Sequence, residues 1–228
     1  RRELQAVKIV APDGGASGAA PPISPEVLVW TKVALYEMAE AHDLATHLAR
    51  SQESSFGAHW PIGEHRRLWE LAHQRGFSGL VEGWSKTRGI DPSWVYAIIR
   101  EESGFNPKIE SWANAIGLMQ IIMSTAKGLA KGTTLKPTAA SLRRPEVSIE
   151  LGTKFLQSLL QRHPVLPLAS AGYNAGGGAV SKWRKAMGSL PLDEFVEKIP
   201  YKEARGYAKR VTRSVARYRW LHADGDLL

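Results

Sequence analysis

The 228-residue sequence contains no cysteine. That absence excludes disulfides and thiolate metal sites, and it leaves cytoplasm and periplasm equally open as compartments. No apolar run approaches the roughly 20 residues that a membrane-crossing helix needs, so a soluble, globular chain without a transmembrane segment is expected. Alternating apolar and polar runs bounded by hairpin turns are almost absent, which argues against a sheet-based fold and against a Gly-rich phosphate loop following a strand. The seven histidines are scattered. Neither His42 with His47 nor His59 with His65 has ligand-like spacing, and no serine–histidine arrangement emerges, so neither a metal site nor a nucleophilic triad is indicated. Acidic residues are outnumbered, 22 against 30 Lys and Arg, for a net charge of +8. This balance points to an anionic partner such as nucleic acid, a membrane surface or an acidic cell-wall polymer, without choosing among them. The chain opens on Arg1 with no signal-like segment after it, which reads as a processed chain or an excised fragment.

What is present is helical. After a Gly/Pro-rich stretch, "APDGGASGAAPPISP", that reads as a flexible tail over residues 1–23, Ser24 and Pro25 supply a helix cap and first turn. Apolar residues then recur at three- and four-residue steps, giving a helical segment over residues 24–77. Helical patterns follow at 78–88, 92–103, 124–130, 147–163, 166–173, 178–187, 192–199 and 201–222. The expected fold class is all-α, with residues 78–228 as one domain of short helices around a cleft. The last helix carries "YKEARGYAKRVTRSVARYRW", seven Lys or Arg against one acid. A solvated face is the plainest reading of that charge.

The stretch "IIREESGFNP" sets two glutamates side by side near a helix end. Asp91 is placed to cap the helix, Pro92 suits its first position, Gly104 stands just past its end and Pro107 lies beyond, so a helix is predicted over residues 92–103. At about 100° per residue, Val95, Ile98 and Ile99 form an apolar stripe; Glu102 falls near its centre and Glu101 roughly a quarter-turn or more away. A carboxyl on a core-facing stripe costs free energy unless it is paired, hydrogen-bonded or protonated, and burial raises its pKa. That is the profile of a general acid. A last-turn glutamate that reaches solvent or caps a neighbouring helix would fit the same position, and the pattern alone leaves both readings open. Glu101, off the stripe, is expected on the solvated surface.

Three further segments are not explained by hydrophobic patterning. "AIGLMQII" places Gly117, Met119 and Gln120 in an irregular stretch. "SAGYNAGGG" ends a helix in Tyr173 and Asn174 beside permissive glycines, and "IPYKEARGY" opens the last helix with Glu203 in its first turn. Taken singly, each has an ordinary structural account. Taken in order with Glu102-Ser103, they resemble the soluble lytic transglycosylases, whose motifs read ES, GLMQ, AYNAG and IP followed by E-x-R-G-Y. The matching residues here are Glu102 and Ser103; Gly117 to Gln120; Tyr173 to Gly176; and Ile199, Pro200, Glu203, Arg205, Gly206 and Tyr207. The resemblance covers about residues 78–222.

The resemblance implies a goose-lysozyme-like catalytic domain that acts on peptidoglycan glycan strands in the bacterial periplasm or cell envelope, with no cofactor, no metal and no nucleic-acid partner. It implies Glu102 as the sole catalytic acid/base. Ser111 and Gln120 match polar groups near the scissile sugar, Tyr173 a tyrosine lining the same subsite, Met119 and Asn174 residues that shape the groove floor, and Glu203 a carboxylate at the groove edge. Arg205 and Lys209 are expected at longer range on a positive rim. The chain departs from the family at Ile122 and Met123, where Met-Pro is common, and at Gly177, where the family has Pro. Residues 24–77 resemble a short remnant of the family's superhelix of helical repeats. Three rival functions stand beside this one: a hydrolytic lysozyme on the same fold, a catalytically silent glycan-binding module, and a basic helical nucleic-acid binder.

Overall fold

The structure, a computed structural model, describes residues 23–222. The chain divides into two units between Gly76 and Phe77. The tail expected over residues 1–23 lies outside the described residues apart from Ile23.

In the first unit the Ser24 hydroxyl accepts from the Val27 amide at 3.3 Å and starts α1 (Pro25–Met38), as its cap-and-proline signature requires. It is followed by α2 (His42–Arg50), α3 (Glu53–Phe56), and a 3₁₀ turn (Gly63–His65) that leads into α4 (Arg66–Ala72). The core of this unit is aromatic. Phe56 meets Trp30 and Trp69 edge to face, with ring centroids at 5.5 and 5.0 Å. Gln74 ties the end of the unit back to α2 through the His42 carbonyl at 2.6 Å and the Thr46 hydroxyl at 2.8 Å.

The second unit contains α5 (Ser78–Arg88), α6 (Pro92–Ser103), β1 (Ala115–Ile116), β2 (Ile121–Ile122), α7 (Met123–Leu129), α8 (Ala139–Leu142), α9 (Pro145–Arg162), α10 (Leu166–Ala175), α11 (Gly177–Met187), α12 (Leu192–Glu197) and α13 (Lys202–His222). The fold is all-α. Helix α6 is its axis, buried from Trp94 through Arg100 and again at Ser103, with α13 and α5 packed against it. Asp91 Oδ1 accepts from the Ser93 amide at 2.7 Å, and Gly104 closes the helix in the left-handed region at φ 56°. The Trp94 indole donates to Ser170 of α10 at 2.9 Å, and Tyr96 stacks on Tyr218 of α13. Caps, proline and glycine therefore fix the ends of α6, and its apolar sequence fixes the burial.

Two elements differ from the sequence reading. "AIGLMQII" is a tight antiparallel hairpin, with Ala115 opposite Ile122 and Ile116 opposite Ile121. Strands of two residues are too short to show a period-2 pattern. Helix α8 is a single turn held by a capping box between Thr138 and Ser141, with bonds of 3.0 and 2.8 Å.

Candidate active site

Glu102 projects from the last turn of α6 into a cavity of about 520 Å³. Five of the other residues singled out in the sequence line it as well: Ser111, Gln120, Tyr173, Asn174 and Glu203. Met119 does not. It is fully buried, its sulfur 2.1 Å from where a Cβ on Gly152 would fall.

The walls are built locally. Gly117 and Gln120 sit at φ 80° and 45° in the hairpin turn, a conformation that costs energy for a non-glycine residue and recurs where backbone must be aimed. The Gln120 amide stabilises that turn by donating to the carbonyls of Gly117 at 3.0 Å and Ile109 at 3.3 Å. Ser111 accepts from the Ala115 amide at 3.1 Å, holding the loop before the hairpin. Tyr173 donates its hydroxyl to the Met119 carbonyl at 2.6 Å. That bond fastens α10 to the hairpin, so the phenol acts as a strut. Asn174 donates to the Glu203 carboxylate at 3.3 Å, joining the end of α10 to the first turn of α13.

Around Glu102 the electrostatics favour the protonated acid. Desolvation is the largest influence and lifts its pKa from 4.5 to about 7. The Tyr207 hydroxyl, which donates to Glu102 Oε1 at 2.5 Å, opposes the rise; the negative charges of Glu101 and Glu203 add to it, and Arg210 opposes it. Burial, followed by the neighbouring Glu102 charge, holds the Tyr207 phenol well above its ordinary value, so it remains a donor.

Two features carry no assignment in the sequence reading. Tyr207 was visible only as a motif letter, and its bond to Glu102 spans 105 positions. Trp112 stands 96% exposed on the cavity wall, where composition gives no signal. Glu101 corrects an expectation: it is not a solvated surface residue, for its side chain is only 8% exposed. Helix α13 packs on the flank of α6 that the stripe left outside. The expected rim residues also differ, because Lys209 pairs with Glu197 and Arg205 donates to the Glu197 carbonyl at 3.0 Å. Both are turned toward α12, and neither lines the cavity. Of the departures, Ile122 lies on the cavity wall, whereas Gly177 is buried at the start of α11, with its carbonyl accepting from Ser181.

The all-α fold, with a half-buried carboxyl whose pKa is raised toward neutrality in an open cleft, is of the lysozyme-like class. Within that class the chain belongs to the transglycosylase SLT domain family, whose model matches residues 79–196. Helix α13, with Glu203, Tyr207 and Arg210, lies beyond the matched segment. The soluble lytic murein transglycosylase of Escherichia coli K12 is 35% identical over 169 residues, which cover 71% of this chain and 26% of that protein. The chain thus spans about a quarter of that relative's length. Among solved structures, the 70 kDa soluble lytic transglycosylase of Escherichia coli superposes with a TM-score of 0.78 at 28% identity, covering 88% of this chain and 31% of that one. A Pseudomonas aeruginosa lytic transglycosylase, solved as an inactive glutamate-to-glutamine mutant, gives 0.72 at 27% identity, covering 87% and 31%.

Proposed function

We propose that this chain cleaves the β-1,4 bond between N-acetylmuramic acid and N-acetylglucosamine in peptidoglycan without water, leaving 1,6-anhydromuramyl ends, and that it works in the bacterial cell envelope. The observation that carries this reading is Glu102, a carboxyl protonated near neutrality and bound to Tyr207 in an open cleft. The named activity of the relatives supports it, as does the loss of activity in the Pseudomonas relative on exchange of a glutamate for glutamine. The second unit carries the chemistry, and residues 24–77 belong to a helical-repeat region of the kind the family carries.

The reaction requires one group to act twice. Glu102 donates its proton to the glycosidic oxygen as the bond to the muramyl C1 breaks, and the bonding pair leaves with that oxygen. The substrate's own acetamido carbonyl stabilises the electron-poor C1. The muramyl C6 hydroxyl then attacks C1 and returns its proton to Glu102. A pKa of about 7 suits both halves, since proton transfer in each direction is then near balance at neutral pH. Gln120 spends its N–H groups on the hairpin, which leaves its carbonyl oxygen to accept from the acetamido N–H. Trp112 offers an aromatic face to a sugar ring.

The hydrolytic lysozyme reading has one observation in its favour, because Glu203 places a second carboxylate in the cavity, and hydrolytic glycosidases usually use two. Product analysis separates the two reactions. Digests of purified peptidoglycan in water enriched in oxygen-18 are expected to give muropeptides lighter by one water than reducing-end products and free of label. Label at the cleaved sugar would replace this reading with the hydrolytic one.

Tyr207→Phe removes the hydrogen bond that favours the charged form of Glu102, so its pKa is expected to rise above about 7. The alkaline limb of the rate profile should move to higher pH, and kcat at neutral pH should fall by roughly tenfold as the carboxyl loses its orientation. A profile with its alkaline limb unmoved would show that the bond does not tune the acid.

A further inference from the structure

The other glutamate of the doublet, Glu101, is enclosed in a network of its own. Glu101 accepts from the Ser214 hydroxyl at 3.0 Å and lies 3.4 Å from Arg210 Nε. The Arg210 guanidinium also stands 6.0 Å from the centre of the Tyr207 ring, the tyrosine that donates to Glu102. One of its terminal nitrogens reaches to within 3.2 Å of where a Cβ on Gly206 would be. A glycine at 206 thus leaves room for the guanidinium. Among the described residues, Arg210 pairs with Glu101 and not with Glu102.

We infer that Glu101 and Arg210 form a charge-compensating pair that holds the guanidinium on the flank of Tyr207, so that Glu102 meets neither a lone cation nor a second lone anion. Glu101 is on this account a positioning residue. This rests on the proposed role of Glu102 as acid/base, which requires its proton to be held near neutrality and released without large cost.

The physical argument runs through the neighbours of Glu102. The charged and titratable groups that act on it are Glu101 on its own helix and Glu203, Tyr207 and Arg210 from α13; Tyr173 from α10 faces it too and feels the Glu102 charge in turn. Glu101 raises its pKa and Arg210 lowers it. A cation left alone beside a carboxyl would favour the ionised form and empty the acid of its proton. An anion whose charge Arg210 did not offset would hold that proton more tightly and hinder its donation to the glycosidic oxygen. With both present the two influences oppose, and desolvation and the Tyr207 bond remain the larger ones. Tyr207 gains as well, because a cation over its face strengthens it as a hydrogen-bond donor.

Opposite signs give the test. Glu102 is followed in protein labelled with carbon-13 at glutamate carboxyls, its resonance assigned by its absence in Glu102→Gln. Glu101→Gln is expected to lower its titration midpoint by about one pH unit, a tenfold change in the protonation equilibrium. Arg210→Gln, at a half-exposed site, is expected to raise it. The double variant should return it to near the starting value. The acid-limited limb of peptidoglycan release should follow the midpoint in each single variant, whereas melting temperature would not be expected to reproduce that pattern of signs. Single variants that shift the midpoint in the same direction, or not at all, would overturn the pair. If the parent protein released no muropeptides, the proposed function would fail, and the carboxyl titration would still decide whether the pair tunes Glu102.

Discussion

Glu102→Gln is expected to lower turnover on peptidoglycan by about 10³-fold or more, because the amide keeps the shape of the acid and can neither give nor take its proton. The same substitution should stabilise the fold above neutral pH. Glu102 has an ordinary pKa of 4.5 and a folded-state value of about 7, so between these limits the folded chain holds a proton that the unfolded chain has released. Stability contributed at this site is therefore fully present below pH 4.5 and lost as pH rises toward 7. The loss is on the order of 2–3 kcal/mol at pH 8, less whatever solvent recovers at a partly open site. Glutamine does not titrate. Melting curves of parent and variant are expected to converge near pH 4 and to separate at pH 8, with the variant higher. A variant less stable than the parent at pH 8 would mean that the Tyr207 bond outweighs the burial of charge.

Gly117→Ala is expected to destabilise the second unit by about 3 kcal/mol or more, and to impair turnover in whatever fraction folds. Two constraints act on this residue together. Its φ of 80° is one that L-residues rarely adopt, and a Cβ would lie 2.0 Å from the Leu142 carbonyl oxygen and 3.1 Å from its carbon. Left-handed strain accounts for about 1–3 kcal/mol, and overpacking against backbone that cannot rotate away adds a similar amount. Gly128→Ala is the contrast. That glycine lies within α7 and a Cβ there meets nothing within 4 Å, so alanine should stabilise by roughly 0.5–1 kcal/mol through helix propensity and unfolded-state entropy. Denaturant midpoints of the two variants should move in opposite directions. A Gly117→Ala protein with a parental midpoint would show that the α8 turn yields easily.

The sequence made some of this visible because the signals were local. Asp91, Pro92 and Gly104 fixed the ends of α6 residue by residue, and the stripe of Val95, Ile98 and Ile99 placed Glu102 on its buried side. The hairpin was hidden, because a ladder of two residues per strand has no periodicity to read; only the glycine and the unusual density of motif residues marked it. The burial of Glu101 was hidden for a different reason. The apolar stripe marks one buried face, whereas α6 is covered nearly all round, and the cover over Glu101 is supplied by α13 more than a hundred positions later. Tyr173 and Gln120, both singled out by motif, line the cavity. Their hydrogen bonds to backbone carbonyls, which make one a strut and the other a brace, needed the fold.

Glu203, Tyr207, Arg210 and Ser214 follow one another along α13 at intervals of four, three and four residues, so a single ridge of one rod carries these four groups to the doublet. Phase along that rod is consequently more constrained than composition. Inserting one residue after Glu203 would rotate everything beyond it by about 100°, disengaging Tyr207, Arg210 and Ser214 in a single event while leaving the helix itself intact. Substitutions on the opposite ridge carry no such penalty. There Arg205 and Lys209 meet Glu197 of α12 and leave the doublet untouched, so the spacing from Glu203 to Ser214, rather than the charge of the outer face, is what holds the site together.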